Sequence, residues 1–411
     1  MEEHAEHNLE DIHSENSETA PEDNHKVRSL KHLIEIVTGK DTVEYTPTGE
    51  SGLADNRPYP FLAIVGQQEM KLALLLNLIN PSIGGVLLLG PRGTGKSTAI
   101  RSLVQLTPKV KRSLCYYGCT EEDIETGGID MVCPDCAKRY AEGLPLTQTE
   151  DVHLVELPLN AEIEDVVGGI DERAKAHHRM RLKRGLLCQA DRNILFIDEV
   201  NLLNDEIVNV ILDAAALGAF TVRRGPISAT YNARFSLIGS MNPEEGKLRP
   251  QIMDRFGLRI LVNGLEDIEE RWLAYQRVSQ FKRSPSQVLV EYEQDTILAR
   301  EEIIAAKNKL NEVVVPSDVG KIGLNLIHDM KITSLRAEIT LFEAARAYAA
   351  ADGRITVSIE DVAFVAPMAL RMRQSKFINS FFEKHQKQDN HLSQLLESIT
   401  SKPDGEPDGS A

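Results

Sequence analysis

Four groups of residues in this 411-residue chain have the types and the spacing to do chemistry. The first is Gly90-Pro91-Arg92-Gly93-Thr94-Gly95-Lys96-Ser97, which fills the G-x-x-x-x-G-K-[ST] pattern without a substitution. The backbone N–H groups of such a loop, with the N-terminus of the helix that follows, cradle phosphate oxygens. Gly90, Gly93, Thr94, Gly95 and Thr98 would form the cradle. Lys96 would reach the β- and γ-phosphates, and Ser97 would hold Mg²⁺. The second group is Asp198-Glu199 at the end of an apolar run. Asp198 suits the Mg²⁺ of a nucleoside triphosphate, and Glu199 suits orienting and activating a water. Without the loop upstream, the same two acids would read as a solvated turn. The third group is Asn242, Arg249 and Arg255. Asn242 reads equally as a hydrogen-bond partner for a γ-phosphate or water and as the start of an Asn-Pro turn. An arginine supplied to a γ-phosphate by a neighbouring subunit is worth about 10³–10⁵ in rate; otherwise an arginine of this kind is a solvated or ion-paired surface residue.

The fourth group is Cys115-x₃-Cys119-x₁₃-Cys133-x₂-Cys136, which places four of the five cysteines within 22 residues. Beside unligated cysteines, three readings fit: a closed structural Zn²⁺ site, a regulatory dithiol built on Cys133-Pro134-Asp135-Cys136, or an iron–sulfur cluster. Cys188, on a predicted helix, reads as a small core residue. His177-His178 does not read as a metal site. Adjacent residues on a helix face different ways, and Lys175, Arg179, Arg181, Lys183 and Arg184 around the pair make a basic surface.

These residues need elements that position them. Val86-Leu87-Leu88-Leu89 predicts a strand before the loop, and Thr98 to Val104 the first turns of a helix after it. Ile194-Leu195-Phe196-Ile197 predicts a strand buried on both faces. Phe235 to Ser240 predicts a third that delivers Asn242 to the same edge, the edge at which ligands of open α/β sheets bind. Residues 58 to about 262 alternate strand-like and helical patterns, the mark of a parallel α/β sheet. From about 264 to 385 the pattern is helical. Residues 1–25 contain nine Asp/Glu and no Lys or Arg, which predicts a disordered acidic tail. A short amphipathic helix over 26–38 and a linker over 39–57 follow it. The stretch from Ser401, with Pro403, Gly405, Pro407 and Gly409, predicts a C-terminal tail.

The net charge of −16 argues against passive nucleic-acid binding through a broad basic surface. No apolar run approaches the roughly 20 residues of a spanning helix. The start Met1-Glu2-Glu3-His4 has neither the basic nor the apolar region of a signal peptide, and its acidity disfavours a transit peptide. The expected location is cytoplasmic.

The combined string resembles the AAA+ ATPases and, more narrowly, the I-subunit family of magnesium chelatase. The resemblance is carried by Phe61 to Gln67, Gly84-Gly85-Val86, Gly90 to Ser97, Leu157-Pro158-Leu159 and Glu164-Asp165. It continues through Val167-Gly168, Ile170-Asp171, Asp198 to Leu203, Asn242 to Gly246, Leu248 to Gln251 and Asp254 to Gly257. It spans roughly residues 57 to 375. It implies a P-loop AAA+ domain of three layers around a parallel sheet over 57–262, to which this sequence adds a four-cysteine insertion at about 113–140. An all-α lid domain over 263–385 would follow, between tails at 1–56 and 386–411. It implies Val65, Gly66 and Gln67 beside the adenine of ATP, Asn242 as the first sensor and Arg255 as the finger reaching into the neighbour's site. Ser334-Leu335-Arg336-Ala337-Glu338 matches the second sensor, so Arg336 would contact phosphates of its own chain's site. Residues 219–235 match a hairpin before Asn242.

The family also implies an assembly. A finger acting in trans requires a homo-oligomeric ring, by analogy a hexamer. The ring would work with a D-type subunit carrying AAA+-like and integrin-type domains. An H-type subunit would bind porphyrin, and ATP hydrolysis would drive Mg²⁺ insertion into protoporphyrin IX for chlorophyll or bacteriochlorophyll synthesis. A paralogue serving another target with a von Willebrand-type partner would share every nucleotide residue. A nucleotide-gated scaffold with incidental hydrolysis is a third reading, against which Glu199 and Arg255 argue. The full four-cysteine arrangement is not part of the family pattern.

Overall fold

The computed structural model describes residues 57–115, 118–170, 182–224, 227–246 and 248–374. The tail, helix and linker expected before residue 57, the His177-His178 pair and the end of the expected lid with the C-terminal tail lie outside these residues.

Five strands form the central sheet: β1 (Val86–Leu89), β2 (Leu154–Leu157), β3 (Ile194–Ile197), β4 (Ser236–Met241) and β5 (Leu258–Leu261). Their order is β5-β1-β4-β3-β2, and every pair of neighbours is parallel. Parallel neighbours need crossovers, and the helices of those crossovers cover both faces. β1 and β3 are accordingly buried at every residue.

Side-chain alternation divides the sheet into two cores. Val86, Leu88, Ile194, Phe196, Ile238 and Ile260 join one, with Leu74 of α1 (Gln68–Ile79) and Ile100 of α2 (Lys96–Leu103). Leu87, Leu89, Leu195, Ile197, Leu237 and Met241 join the other, with Ile207, Val208 and Ile211 of α3 (Asp205–Leu217). This is the three-layer α/β arrangement expected from the sequence. The Asn204 side chain accepts from Glu206 N–H at the start of α3, and Gly218 ends it at φ 67°. The short α4 (Pro250–Arg255) then leads to β5.

From Ile268 to Leu370 the chain is helical apart from its connections. The expected boundary near residue 262 is a change of secondary structure within continuous packing. Ala337, Leu341, Ala344 and Ala345 of α5 (Arg336–Ala351) share the first core with Leu74, Leu76 and Ile83. The small side chains let α5 approach closely, and Thr340 hydroxyl donates to Ile83 O at 3.4 Å.

Three antiparallel strand pairs lie outside the sheet among the described residues, one of them Gly168–Ile170 with Leu182–Arg184. The strand pair Val110–Ser113 and Thr147–Glu150 is antiparallel and closes off the cysteine-bearing insertion. Ala219–Arg224 and Ile227–Asn232 form the expected antiparallel arms before β4. There Phe220 lies opposite Tyr231 with ring centroids 5.6 Å apart.

Candidate functional site

The loop between β1 and α2 has the shape its glycines permit. Gly93 and Gly95 sit at φ 80° and 86°, where other residues are strained. Gly90 is required for a different reason: a Cβ there would lie 2.0 Å from the carbonyl oxygen of Val262. Thr94 hydroxyl donates to Pro91 O at 3.1 Å. Lys96 is buried, and its Nζ donates to the carbonyls of Gly90 and Pro91 at 2.7 Å each. Burial lowers its pKa, against the opposing pull of Asp198, Glu199 and Glu245.

The acids arrive on the neighbouring strand ends. β3 delivers Asp198, whose carboxylate accepts from Ser240 of β4, and the same Ser240 oxygen accepts from Glu199 N–H at 3.1 Å. Glu199 itself adopts φ 51°, ψ 58°. A non-glycine residue held in that region costs on the order of 1 kcal/mol, a strain that clusters at functional sites. Arg92 reaches across from the loop to Glu199 at 3.1 Å and to Glu245 at 2.6 Å. Asn242 is buried. Its amide donates to Glu245 at 2.6 Å and its carbonyl accepts from Glu244 N–H at 3.2 Å. It therefore shapes a turn while also lining the cavity.

One cavity of about 290 Å³ collects these groups. It is lined by Gly93 to Thr98 together with Arg92, Asp198, Glu199, Ser240 and Asn242. A separate cavity of about 240 Å³ lies by Gln67, Asn263 and Leu265. Gln67 is left-handed at φ 52° and its side chain donates to Asn263 O at 2.6 Å. Gly66, at φ 60°, leaves no room for a Cβ, which would come within 2.5 Å of Leu265 Cδ2. Val65 leads into this turn and is half-buried.

Residues 166–262 match the MCM P-loop domain family, and residues 326–392 match the AAA lid domain family. A magnesium-chelatase subunit ChlI homolog of Methanocaldococcus jannaschii is 42% identical to this chain, over 78% of this chain and 87% of its own length. The chloroplastic magnesium-chelatase subunit ChlI of Glycine max is 40% identical over 85% of this chain and 83% of its own. A solved cryo-EM assembly of subunits BchI and BchD of magnesium chelatase contains a chain 38% identical to this one. That match covers 79% of this chain and 99% of the other, with a TM-score of 0.45.

The chain belongs to the magnesium chelatase I-subunit family. As a family member with a P-loop and an AAA lid, it is an AAA+ ATPase.

Arg255, at the end of α4, is away from its own chain's P-loop cavity; it pairs with Asp213 of α3 at 2.6 Å and donates to Asn209 O at 3.4 Å. Arg336, which the resemblance assigns to the phosphates of its own chain's site, lies 3.8 Å from Asp254 and is not among the residues that line the P-loop cavity. The cause is the docking of α5. Ser334 hydroxyl donates to Asp254 at 2.7 Å, and the alanine face of α5 packs toward the residues that precede β1. Arg336 thereby lines the same cavity as Arg255, at the amino ends of the strands.

Sequence reasoning missed three residues of this I-subunit site. Ser240 holds both Asp198 and Glu199, and its signal was a hydroxyl inside an otherwise apolar buried strand. Arg92 occupies a free position of the loop pattern, and Glu245 follows the Asn-Pro turn, so neither carried a local signal.

The four-cysteine insertion is a second centre. The Sγ atoms of Cys115, Cys119, Cys133 and Cys136 all lie within 4.8 Å of one another. A hydrogen bond from Cys119 holds the Cys115 thiol down to about 4, and the same contact pushes Cys119 up. Burial, with the neighbouring thiols, pushes Cys136 up to about 12. Cys188 lies apart on the helix Leu186–Ala190, partly buried, its thiol pushed up by burial. No described helix is long and apolar enough to cross a membrane.

Proposed function

We propose that this chain is the ATP-hydrolysing motor of a magnesium chelatase, driving Mg²⁺ insertion into protoporphyrin IX on the way to chlorophyll or bacteriochlorophyll. The observation that carries the proposal is the single cavity at the carboxyl edge of the sheet, where the Gly90–Ser97 loop faces Asp198 and Glu199 in a chain of this family. Gly93, Thr94, Gly95 and the start of α2 would take the phosphates. Lys96 would exchange its two carbonyl partners for phosphate oxygens. Val65, Gly66 and Gln67 would flank the adenine.

Ser97 and Asp198 suit Mg²⁺: a hydroxyl and a carboxylate are hard oxygen ligands, and Ser240 already orients the carboxylate. When bound, the ion would neutralise charge on the β- and γ-phosphate oxygens. Glu199 would orient the attacking water and accept its proton once Arg92 releases it. Asn242 would bind the γ-phosphate or the water. Arg255, joined by Arg336, would act on the nucleotide of the adjacent subunit. That division of labour supports a homo-oligomeric ring, with a hexamer as the family-based size. D-type and H-type subunits are proposed as partners, the H-type subunit and not this chain holding the porphyrin. A cytoplasmic location belongs to the same proposal, although the Glycine max relative is named chloroplastic.

The test is formation of Mg-protoporphyrin from ATP, Mg²⁺ and protoporphyrin IX with D- and H-type subunits present. Product that requires this chain and its Lys96 is expected. Brisk ATP hydrolysis without product would overturn the porphyrin load and leave the ATPase reading intact.

A further inference from the structure

We infer that Cys115, Cys119, Cys133 and Cys136 bind one Zn²⁺ ion in a closed, all-thiolate tetrahedral site that folds the insertion of the ATPase domain. The inference goes beyond the motor chemistry and is independent of it.

Geometry separates the three readings that the cysteine spacing leaves open. Zinc at about 2.3 Å from each of four sulfurs sets those sulfurs roughly 3.8 Å apart. The four Sγ atoms here already lie within 4.8 Å of one another, so a small inward adjustment closes the site. An iron–sulfur cluster must seat several irons and bridging sulfides between its cysteines. The space enclosed by four sulfurs this close holds one ion and no cluster. A dithiol switch needs two cysteines and leaves the other two unexplained. None of the five cysteines is joined in a disulfide in the structure.

The backbone is arranged for anionic sulfur. Cys119 N–H donates to the Cys115 sulfur at 3.4 Å, and Cys133 N–H donates to the Cys119 sulfur at 3.3 Å. Gly118, at φ 79°, makes the turn that aims the first of these. Cys133 precedes the helix Pro134–Ala141, with proline at its first position, so Cys133 and Cys136 both sit at the positive end of that helix. Donors aimed at the sulfurs stabilise thiolates, the form that binds a metal.

The insertion also lacks another means of folding. Its buried cluster is Cys119, Val132, Cys136 and Leu146, so half of it is cysteine. Apolar units this small usually need a metal, a disulfide or oligomerisation to hold together. Polar contacts fix the rim: Glu121 accepts from Leu146 N–H at 2.8 Å and from Thr147 N–H at 3.0 Å. The knuckle is anchored to the body by Arg192, which donates to Lys111 O and to Glu122, each at 3.1 Å, and by Arg184, which donates to Cys115 O. Four thiolates leave the ion no open position, so the site holds structure and takes no part in hydrolysis.

The full-length protein, purified without chelator and without added metal, tests this by elemental analysis. About one zinc per chain is expected, with no iron and no acid-labile sulfide. Replacement of the ion by Co²⁺ should give the intense visible bands of tetrahedral cobalt thiolate. Cys136→Ser should lose the ion and Cys188→Ser should keep it. In case Cys136→Ser fails to fold, thiol counting on the unaltered protein gives the same information: four thiols should become reactive only when a chelator strips the metal. Iron with sulfide, an octahedral cobalt spectrum, or a folded metal-free protein whose four thiols react at once or are paired as disulfides would overturn the inference.

Discussion

At the carboxyl edge of the parallel sheet, Lys96 and Arg92 stand with Asp198 and Glu199 around one cavity. At the amino edge, a cavity of about 570 Å³ is lined by Arg192, Arg234, Arg255, Lys307 and Arg336, with no carboxylate among its described lining residues. The first cavity has the parts to bind a triphosphate and activate water, yet the one arginine among its described lining residues, Arg92, is engaged with two glutamates. The second has arginines without a phosphate loop. Its cations are restrained from the side, Arg255 by Asp213 and Arg336 by Asp254, pairings that an incoming anion could replace. On the function proposed above, the two edges are complementary halves of one site, which a ring would complete by setting one edge of a subunit against the other edge of the next.

The largest expected effects come from breaking the carboxyl edge. Lys96→Ala should remove nucleotide binding or turnover altogether, measured as ATP binding and steady-state hydrolysis. Glu199→Gln should keep nucleotide binding while lowering kcat by about 10²–10⁴, the usual contribution of a positioned general base. If both variants lost binding equally, the separate roles given to the loop and the acid would be wrong.

A smaller effect is expected where the amino edge is fastened to the lid. Asp254 accepts from Ser334 at 2.7 Å, from Arg373 at 2.9 Å and from Arg259 at 3.3 Å. The side chains of both arginines are fully buried. Burial alone would raise the Asp254 pKa, but Ser334, Arg373 and Arg259 together hold it below its ordinary value. A depressed carboxyl contributes stability that is complete above its unfolded pKa of about 3.9 and is lost as pH falls through its folded value. Asp254→Asn should therefore destabilise by about 2 kcal/mol near neutrality, since it leaves buried arginines short of a partner. The gap from the unaltered protein should narrow below about pH 4. Denaturant unfolding at several pH values measures both; a pH-independent gap would remove Asp254 from this role.

How far each edge could be read from the sequence follows from how local its signals are. Gly90 to Ser97 is contiguous, and its glycines answer needs set within a few residues. Asp198 and Glu199 were legible because an apolar run must be a buried strand and strand ends define one edge. Arg336 was legible as a motif but not as a position: the surface that α5 covers is set by Ala337, Leu341, Ala344 and Ala345 meeting residues more than 250 positions earlier. Ser240 was hidden for the opposite reason, since a serine inside a strand looks like a tolerated small residue until its partners on β3 are in place. The cysteine spacing announced a centre but left open what occupies it, because that depends on distances between sulfurs.

On the proposed function, catalysis joins the carboxyl edge of one subunit to Arg255 of the next. Mixing two inactive proteins tests this. Glu199→Gln keeps the finger and loses the acid; Arg255→Ala keeps the acid and loses the finger. Each alone should be nearly silent in ATP hydrolysis. In mixed rings about a quarter of the interfaces regain an unaltered acid facing an unaltered finger, and hydrolysis should return to a comparable fraction of the unaltered rate. A mixture as silent as its components, or an Arg255→Ala protein that hydrolyses ATP at full rate alone, would contradict the account.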